Sequence, residues 1–146
     1  MGYEVRPKII LGGRENINEI EDNEIETLEV VWVRGFNDIS NISKFKRLKT
    51  LLIEDNIQLP KVHFETVFPN LTDLKILNCK TLNSLTGLEH LTSLEQLKIY
   101  KTNLDFDSVA NQKLSQTLKT FAFYTTRRKV DDEIQATLLK RGYSEW

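Results

Sequence analysis

The chain is poor in the residues that usually announce chemistry. Its 146 residues contain one cysteine, one methionine, three prolines and two histidines. A lone thiol, Cys79, cannot close an internal disulfide, so the fold does not depend on an oxidising compartment. The histidines, His63 and His90, lie 27 residues apart and share no metal-type spacing with that cysteine. Long apolar runs are missing too. The segment from Met1 to Lys8 leads into only three consecutive aliphatics, Ile9 to Leu11, too few for a signal-peptide core. Elsewhere no uncharged stretch approaches the roughly 20 residues of a spanning helix. Neither sign of charge prevails: 20 basic and 21 acidic side chains leave a formal charge of -1, which provides no global field for a nucleic-acid backbone. A cytoplasmic protein that is not integral to a membrane is expected, with secretion by a route lacking a cleaved signal left open.

What is present is ordinary in amount and unusual in arrangement. Hydrophobic residues make up 40% and charged ones 28%, as in soluble domains, and a single domain of this length buries roughly two thirds of its unfolded surface. The apolar residues recur. A triplet spaced apolar, two residues, apolar, one residue, apolar occurs at Ile25, Leu28, Val30; at Leu48, Leu51, Ile53; at Leu71, Leu74, Ile76; at Leu94, Leu97, Ile99; and at Leu118, Phe121, Phe123. The starts are 23, 23, 23 and 24 residues apart. Three residues after each triplet comes a fixed position, held in turn by Val33, Asn56, Cys79, Thr102 and Thr126. Most are followed by one more apolar residue, namely Phe36, Leu59, Leu82 and Leu104.

Residues two apart point to the same side of a strand, so each triplet predicts a short strand with its last two members in a core. The fixed position falls where the chain turns, and an Asn amide there can satisfy carbonyls of neighbouring turns. Cys79 is read as a small buried filler of that ladder. Between strands, Leu82, Leu85, Leu88, Leu91 and Leu94 repeat every three residues, as do Phe36, Ile39, Ile42, Phe45 and Leu48. That period fits an extended or 3₁₀-like return better than an α-helix. Pro60 and Pro69 interrupt the next return, and residues 105–118 have room for a helical turn or two.

The segments Leu48-Lys-Thr-Leu-Leu-Ile-Glu-Asp-Asn-Ile-Gln-Leu59 and Leu71-Thr-Asp-Leu-Lys-Ile-Leu-Asn-Cys-Lys-Thr-Leu82 match the leucine-rich-repeat consensus. Residues 82–104 resemble repeats of short bacterial, internalin-like proteins, and Phe68 to Cys79 is similar to repeats of plant disease-resistance proteins. The resemblance covers about residues 25–126. It implies an α/β leucine-rich-repeat solenoid, right-handed, with a parallel sheet on its concave face, a surface such families use to hold proteins. One domain is expected: residues 1–24 as an amino-terminal cap, 25–126 as five repeats, and 127–146 as a carboxy-terminal helical cap. Asp131 to Gly142 has the acidic start, basic last turn and glycine stop of a short amphipathic helix, with Ile134, Leu138 and Leu139 covering the last repeat.

Catalysis finds little material. Gly12-Gly13 lacks a phosphate-loop arrangement. Ser108, Ser115 and Ser144 have no adjacent base, and the acidic run Glu15, Glu19, Glu21, Asp22, Glu24, Glu26 does not have calcium-loop spacing. No enzyme and no cofactor is expected.

Alternation instead assigns a partner-facing surface. Its rows are Thr27, Thr50, Asp73, Gln96, Thr120; Glu29, Leu52, Lys75, Lys98, Ala122; and Val31, Glu54, Leu77, Tyr100, Tyr124. Trp32, Asp55, Asn78, Lys101 and Thr125 form a flank. Aromatic and aliphatic groups beside selected charges suit binding of another protein. The candidate contact residues are Val31, Trp32, Leu52, Lys75, Leu77, Lys98, Tyr100, Lys101 and Tyr124. The alternatives are nucleic-acid or anion binding through a basic patch of Lys75, Lys98, Lys101 and Arg127 to Lys129, or self-association. The chain is expected as a monomer or weak dimer.

Overall fold

The structure, a computed structural model, describes residues 8–11 and 27–145. In chain order its strands are β1 (Lys8–Leu11), β2 (Val30–Arg34), β3 (Thr50–Glu54), β4 (Lys61–His63), β5 (Asp73–Leu77), β6 (Ser84–Thr86), β7 (Gln96–Tyr100) and β8 (Thr120–Tyr124). Two helices follow the later strands, α1 (Phe106–Ala110) and α2 (Arg128–Lys140). The protein is α/β, and its main sheet runs β1-β2-β3-β5-β7-β8 with every neighbouring pair parallel. A second parallel pair, β4 and β6, lies in the returns.

Period-two sequence becomes period-two burial. In β3, Leu51 and Ile53 are fully buried while Thr50, Leu52 and Glu54 are half-buried, and β5 and β7 repeat the pattern. The returns close the other side of the core. Leu82, Leu85, Leu88, Leu91 and Leu94 are all buried, carried by β6 and a 3₁₀ turn at Leu88–His90. This is the extended and 3₁₀ conformation that a period of three calls for. Gly87, between them, has φ 80°, and a Cβ there would collide with the Phe64 carbonyl. Only glycine lets β6 approach the β4 return so closely. Side chains tie successive segments together: Thr81 Oγ1 donates to the Ile57 carbonyl (2.6 Å), Ser93 Oγ to Pro69 (2.7 Å) and Ser115 Oγ to Thr92 (2.8 Å).

The first segment departs from the expected register. β2 pairs with β3 through Val31↔Leu51 and Val33↔Ile53, a spacing of 20 residues. The 23-residue spacing would instead have paired Leu28 and Val30 with that core pair. Val31 and Val33 are fully buried, and Val30 is half-buried on the sheet face. The reason lies in the return. From Ile39 to Leu48 it keeps an apolar residue every three positions but is one period shorter than the return from Leu59 to Leu71. Dropping a whole period leaves the pattern intact while sliding the strand by three. Gly35 marks the true register. It has φ 76°, and its counterparts Asp55, Asn78 and Lys101 have φ 56°, 54° and 57°.

Phe36, rather than Val33, therefore occupies the ladder position beside Asn56. The Asn56 amide is fully buried. Its Oδ1 accepts from the Phe36 N–H at 2.7 Å, and its Nδ2 donates to the carbonyls of Val33 and Glu54 at 3.0 and 3.1 Å. Cys79 repeats the geometry more weakly, with Sγ 3.5 Å from the Leu77 carbonyl and 3.8 Å from that of Ile53. Thr102 turns its hydroxyl to the Leu104 N–H and Thr126 is exposed, so the ladder fades toward the carboxyl end.

At that end α2 packs on β8 through Ile134 and Leu138. It spans 128–140 rather than 131–142, because Asp131 does not start the helix. Its carboxylate accepts instead from the Thr125 N–H (2.6 Å) and hydroxyl (2.8 Å). Leu139, expected to join the packing, is 72% exposed, since it lies a further 100° around the helix from Leu138. Beyond the Gly142 turn (φ 93°), Ser144 bridges to β8. Phe121 N–H donates to the Ser144 carbonyl, and Ser144 N–H donates to Lys119. That pairing shields part of an otherwise open sheet edge.

At the other end the expected cap is described only at β1, which extends the sheet with Ile10 opposite Val33. The remainder of residues 1–24, Ile25, Gly12-Gly13 and the acidic run lie outside the described residues. Among the described residues no helix is long and apolar enough to cross a membrane.

Candidate functional site

The corrected register redraws the sheet face. Its three rows are Val30, Thr50, Asp73, Gln96, Thr120; Trp32, Leu52, Lys75, Lys98, Ala122; and Arg34, Glu54, Leu77, Tyr100, Tyr124. Of the anticipated contact residues, Leu52, Lys75, Leu77, Lys98, Tyr100 and Tyr124 stand on this face, half-buried. Val31 does not, because the three-residue shift puts its side chain in the core. Trp32 moves from the flank into the central row, beside Leu52. Thr27 and Glu29 leave the rows, replaced by Val30 and Trp32. Ala122 and Thr120 remain in theirs but are buried, so the exposed face narrows at β8. Lys101 stays on the flank, exposed.

The face has a defined grain. Tyr100 and Tyr124 stack with ring centroids 5.3 Å apart and planes 21° from parallel, a cross-strand aromatic pair that rigidifies its carboxyl end. Both phenols titrate above their ordinary range, through burial first and the neighbouring Glu145 carboxylate second. Tyr124, which hydrogen-bonds that carboxylate, is pushed up to about 12, so both are neutral hydrogen-bonding groups at physiological pH. At the opposite end the Arg34 guanidinium lies 5.2 Å from the centroid of the Trp32 ring, a cation–π contact. Arg34 also binds Asp55 at 2.8 Å. The Trp32 indole N–H is buried with no hydrogen-bond partner among the described residues. Lys75 and Lys98 are adjacent across β5 and β7 in the middle of the sheet, with no ion pair among the described residues.

The anticipated basic patch is divided. Lys75 and Lys98 belong to the face, but the chain turns off the sheet at Lys101. Lys101 and Arg127 line a separate groove of about 520 Å³ together with Lys80. Arg128 and Lys129 are exposed on the first turn of α2 and lie outside its lining.

The residues weighed for chemistry hold local structure together. Ser108 belongs to the first turn of α1, which Asp105 caps: the Ser108 N–H donates to the Asp105 carboxylate at 3.1 Å and its hydroxyl to the Asp105 carbonyl. Ser115 and Ser144 bridge neighbouring segments as described above. His63 Nδ1 lies 2.7 Å from Thr86 Oγ1, and His90 Nε2 is 3.8 Å from Glu89. Among the described residues no cluster of His, Cys, Asp and Glu is placed to hold a metal ion. Burial pushes the Cys79 thiol up from its ordinary 9.0, against weaker hydrogen bonding from Asn56, so it stays protonated and unreactive.

The signal that would have placed Trp32 correctly was Gly35: a glycine just after a strand marks the left-handed exit that Asp55 and Asn78 occupy later. No protein-family model, curated protein or solved structure matches the chain.

Proposed function

We propose that the chain is a short leucine-rich-repeat solenoid, without catalytic activity of its own, that holds another protein on its concave sheet face. The reading rests on the repeat spacing in the sequence and on parallel strands that follow one another through the sheet in chain order. One observation carries the functional part. A single regular face presents Trp32, Leu52, Leu77, Tyr100 and Tyr124 around two central lysines that have no ion pair among the described residues.

Such a face fits a partner of particular chemistry. Apolar and aromatic side chains fixed by strands lose little entropy on binding, and lysines with no ion pair among the described residues favour an acidic protein surface. Six strands about 4.8 Å apart span about 24 Å, which gives a few hundred Å², less than the roughly 800 Å² per partner of a standard stable interface. Affinity is therefore modest, or the partner also grips the edges of the face. Acting by occupancy, the protein would serve as an adaptor, an inhibitor or an immunity-type protein.

The test compares affinity capture by wild type with capture by folded Leu77→Arg, Tyr100→Glu and Lys75→Glu/Lys98→Glu proteins. A partner with an acidic binding surface, lost from all three, supports the reading. Equal capture of that partner by wild type and variants would overturn it.

A further inference from the structure

The groove at the carboxyl ends of β7 and β8 lies apart from the sheet face. It is lined by Lys80, Lys101 and Arg127, by the polar side chains of Thr102, Thr125 and Thr126, and by Val130 on its apolar side. We propose that this groove binds a phosphate group, carried by a small molecule or a lipid headgroup.

Charge is the first argument. Three cations from three different exit turns line one cavity of about 520 Å³. Among the described residues none of them is ion-paired, since the pairs there join Arg34, Lys49 and His90 to carboxylates. Gathering three like charges with no direct ion pair among the described residues costs repulsion that a multiply charged anion removes. The acidic residues closest in sequence to these cations, Asp105 and Asp131, have their carboxylates engaged elsewhere, Asp105 by the Ser108 N–H and Asp131 by the Thr125 N–H and hydroxyl.

The backbone supplies the second argument. Lys101 sits at φ 57°, the left-handed region that the other exits fill with Gly35, Asp55 and Asn78. Those residue types visit it readily and lysine does not. Asn78 spends its amide on Asp55, at 2.7 Å. Lysine at the next exit breaks that chain of side-chain bonds and puts a cation beside the groove, at a cost in local strain.

The 13-residue helix α2 begins at this groove, and its capping residue, Arg127, makes no side-chain cap hydrogen bond. The positive end of the helix, which reaches the groove through Arg127 and Val130, favours the same anion as the three side chains. A phosphate monoester carries about -1.5 to -2 charges at neutral pH and three acceptor oxygens, which matches this set better than a single carboxylate does. Val130 and Leu104 leave room for a nonpolar portion of the phosphate's carrier.

The test is two-dimensional amide NMR of the full chain, titrated with inorganic phosphate, with glycerol 3-phosphate, and with phosphatidylcholine vesicles with or without phosphatidic acid. Wild type is compared with Lys101→Asn and Arg127→Gln. The asparagine suits the left-handed backbone and the glutamine is at an exposed position, so both variants should fold, as thermal melts would verify. Saturable shifts confined to Lys80 and to residues 101–104 and 125–130, weakened about tenfold by each substitution and weakened further by added salt, are expected. A response to glycerol 3-phosphate identifies a soluble carrier. Retention only by vesicles containing phosphatidic acid, with the same dependence on Lys101 and Arg127, identifies a lipid. No saturable response to any probe, or a response unchanged in both folded variants, would overturn the proposal. The sheet face contributes no residue to the groove, so the two readings fail independently.

Discussion

Replacing Asn56 by alanine removes the best-formed polar link between the exits of β2 and β3. Its side chain accepts one hydrogen bond and donates two, at 2.7, 3.0 and 3.1 Å, from a fully buried position. Each such bond contributes about 1 kcal/mol net, and a buried group left unpartnered costs about 1–3 kcal/mol. Alanine leaves the Phe36 N–H and the Val33 and Glu54 carbonyls without this partner and is too small to replace the lost packing. The expected destabilisation is about 3–5 kcal/mol, a large part of the 5–15 kcal/mol typical of a domain. Equilibrium urea unfolding reads the total. Amide exchange reads its location: Phe36 and the β2–β3 pair should lose protection first, while Ile99 and Phe121 keep theirs. A loss below about 1 kcal/mol, or exchange accelerated equally throughout, would refute the assignment of Asn56 as the link.

Other substitutions test separate points. Val31→Thr should cost about 1–3 kcal/mol by burying an unpaired hydroxyl, whereas Val30→Thr on the sheet face should stay within about 0.5 kcal/mol. The reverse order of urea midpoints would restore the 23-residue register. Gly87→Ala should lower stability by more than about 3 kcal/mol or prevent folding, and a near-wild-type melting temperature would contradict the close packing on Phe64. Cys79 should resist a thiol reagent at pH 8 until the protein unfolds. Because its folded pKa is raised above the ordinary 9.0, the protonated thiol contributes stability below about pH 9 that is lost as pH rises through the folded value. Cys79→Ala should flatten that alkaline decline, and an unchanged slope would assign it to other groups.

Much of the architecture was legible because two sequence periods map directly onto geometry. Period two in Leu51-Leu52-Ile53 sets which side chains enter the core, and period three in Leu82 to Leu94 sets the return. The error at β2 comes from the same regularity. A return that repeats every three residues can lose one period without a trace, and Val30, Val31 and Val33 supply apolar residues to either register. Leu139 was misplaced because sequence spacing alone does not say which edge of a helix's apolar stripe meets the sheet. The groove was partly legible: Lys101 and Arg127 were in the anticipated basic patch, but Lys80 lies 21 residues before Lys101, and only the parallel stacking brings their exit turns together. The split between face lysines and groove lysines depends on where the chain leaves the sheet. That is a matter of backbone sign at Lys101, which composition does not reveal.

The sheet face as a protein-binding surface is tested most directly by isothermal titration of the purified captured partner against wild type, Leu77→Arg and Tyr100→Glu, each first shown to be folded. Central face positions predict at least about a 30-fold loss of affinity in each variant, equivalent to about 2 kcal/mol. Affinities unchanged within about twofold, a difference of about 0.4 kcal/mol, would contradict the account.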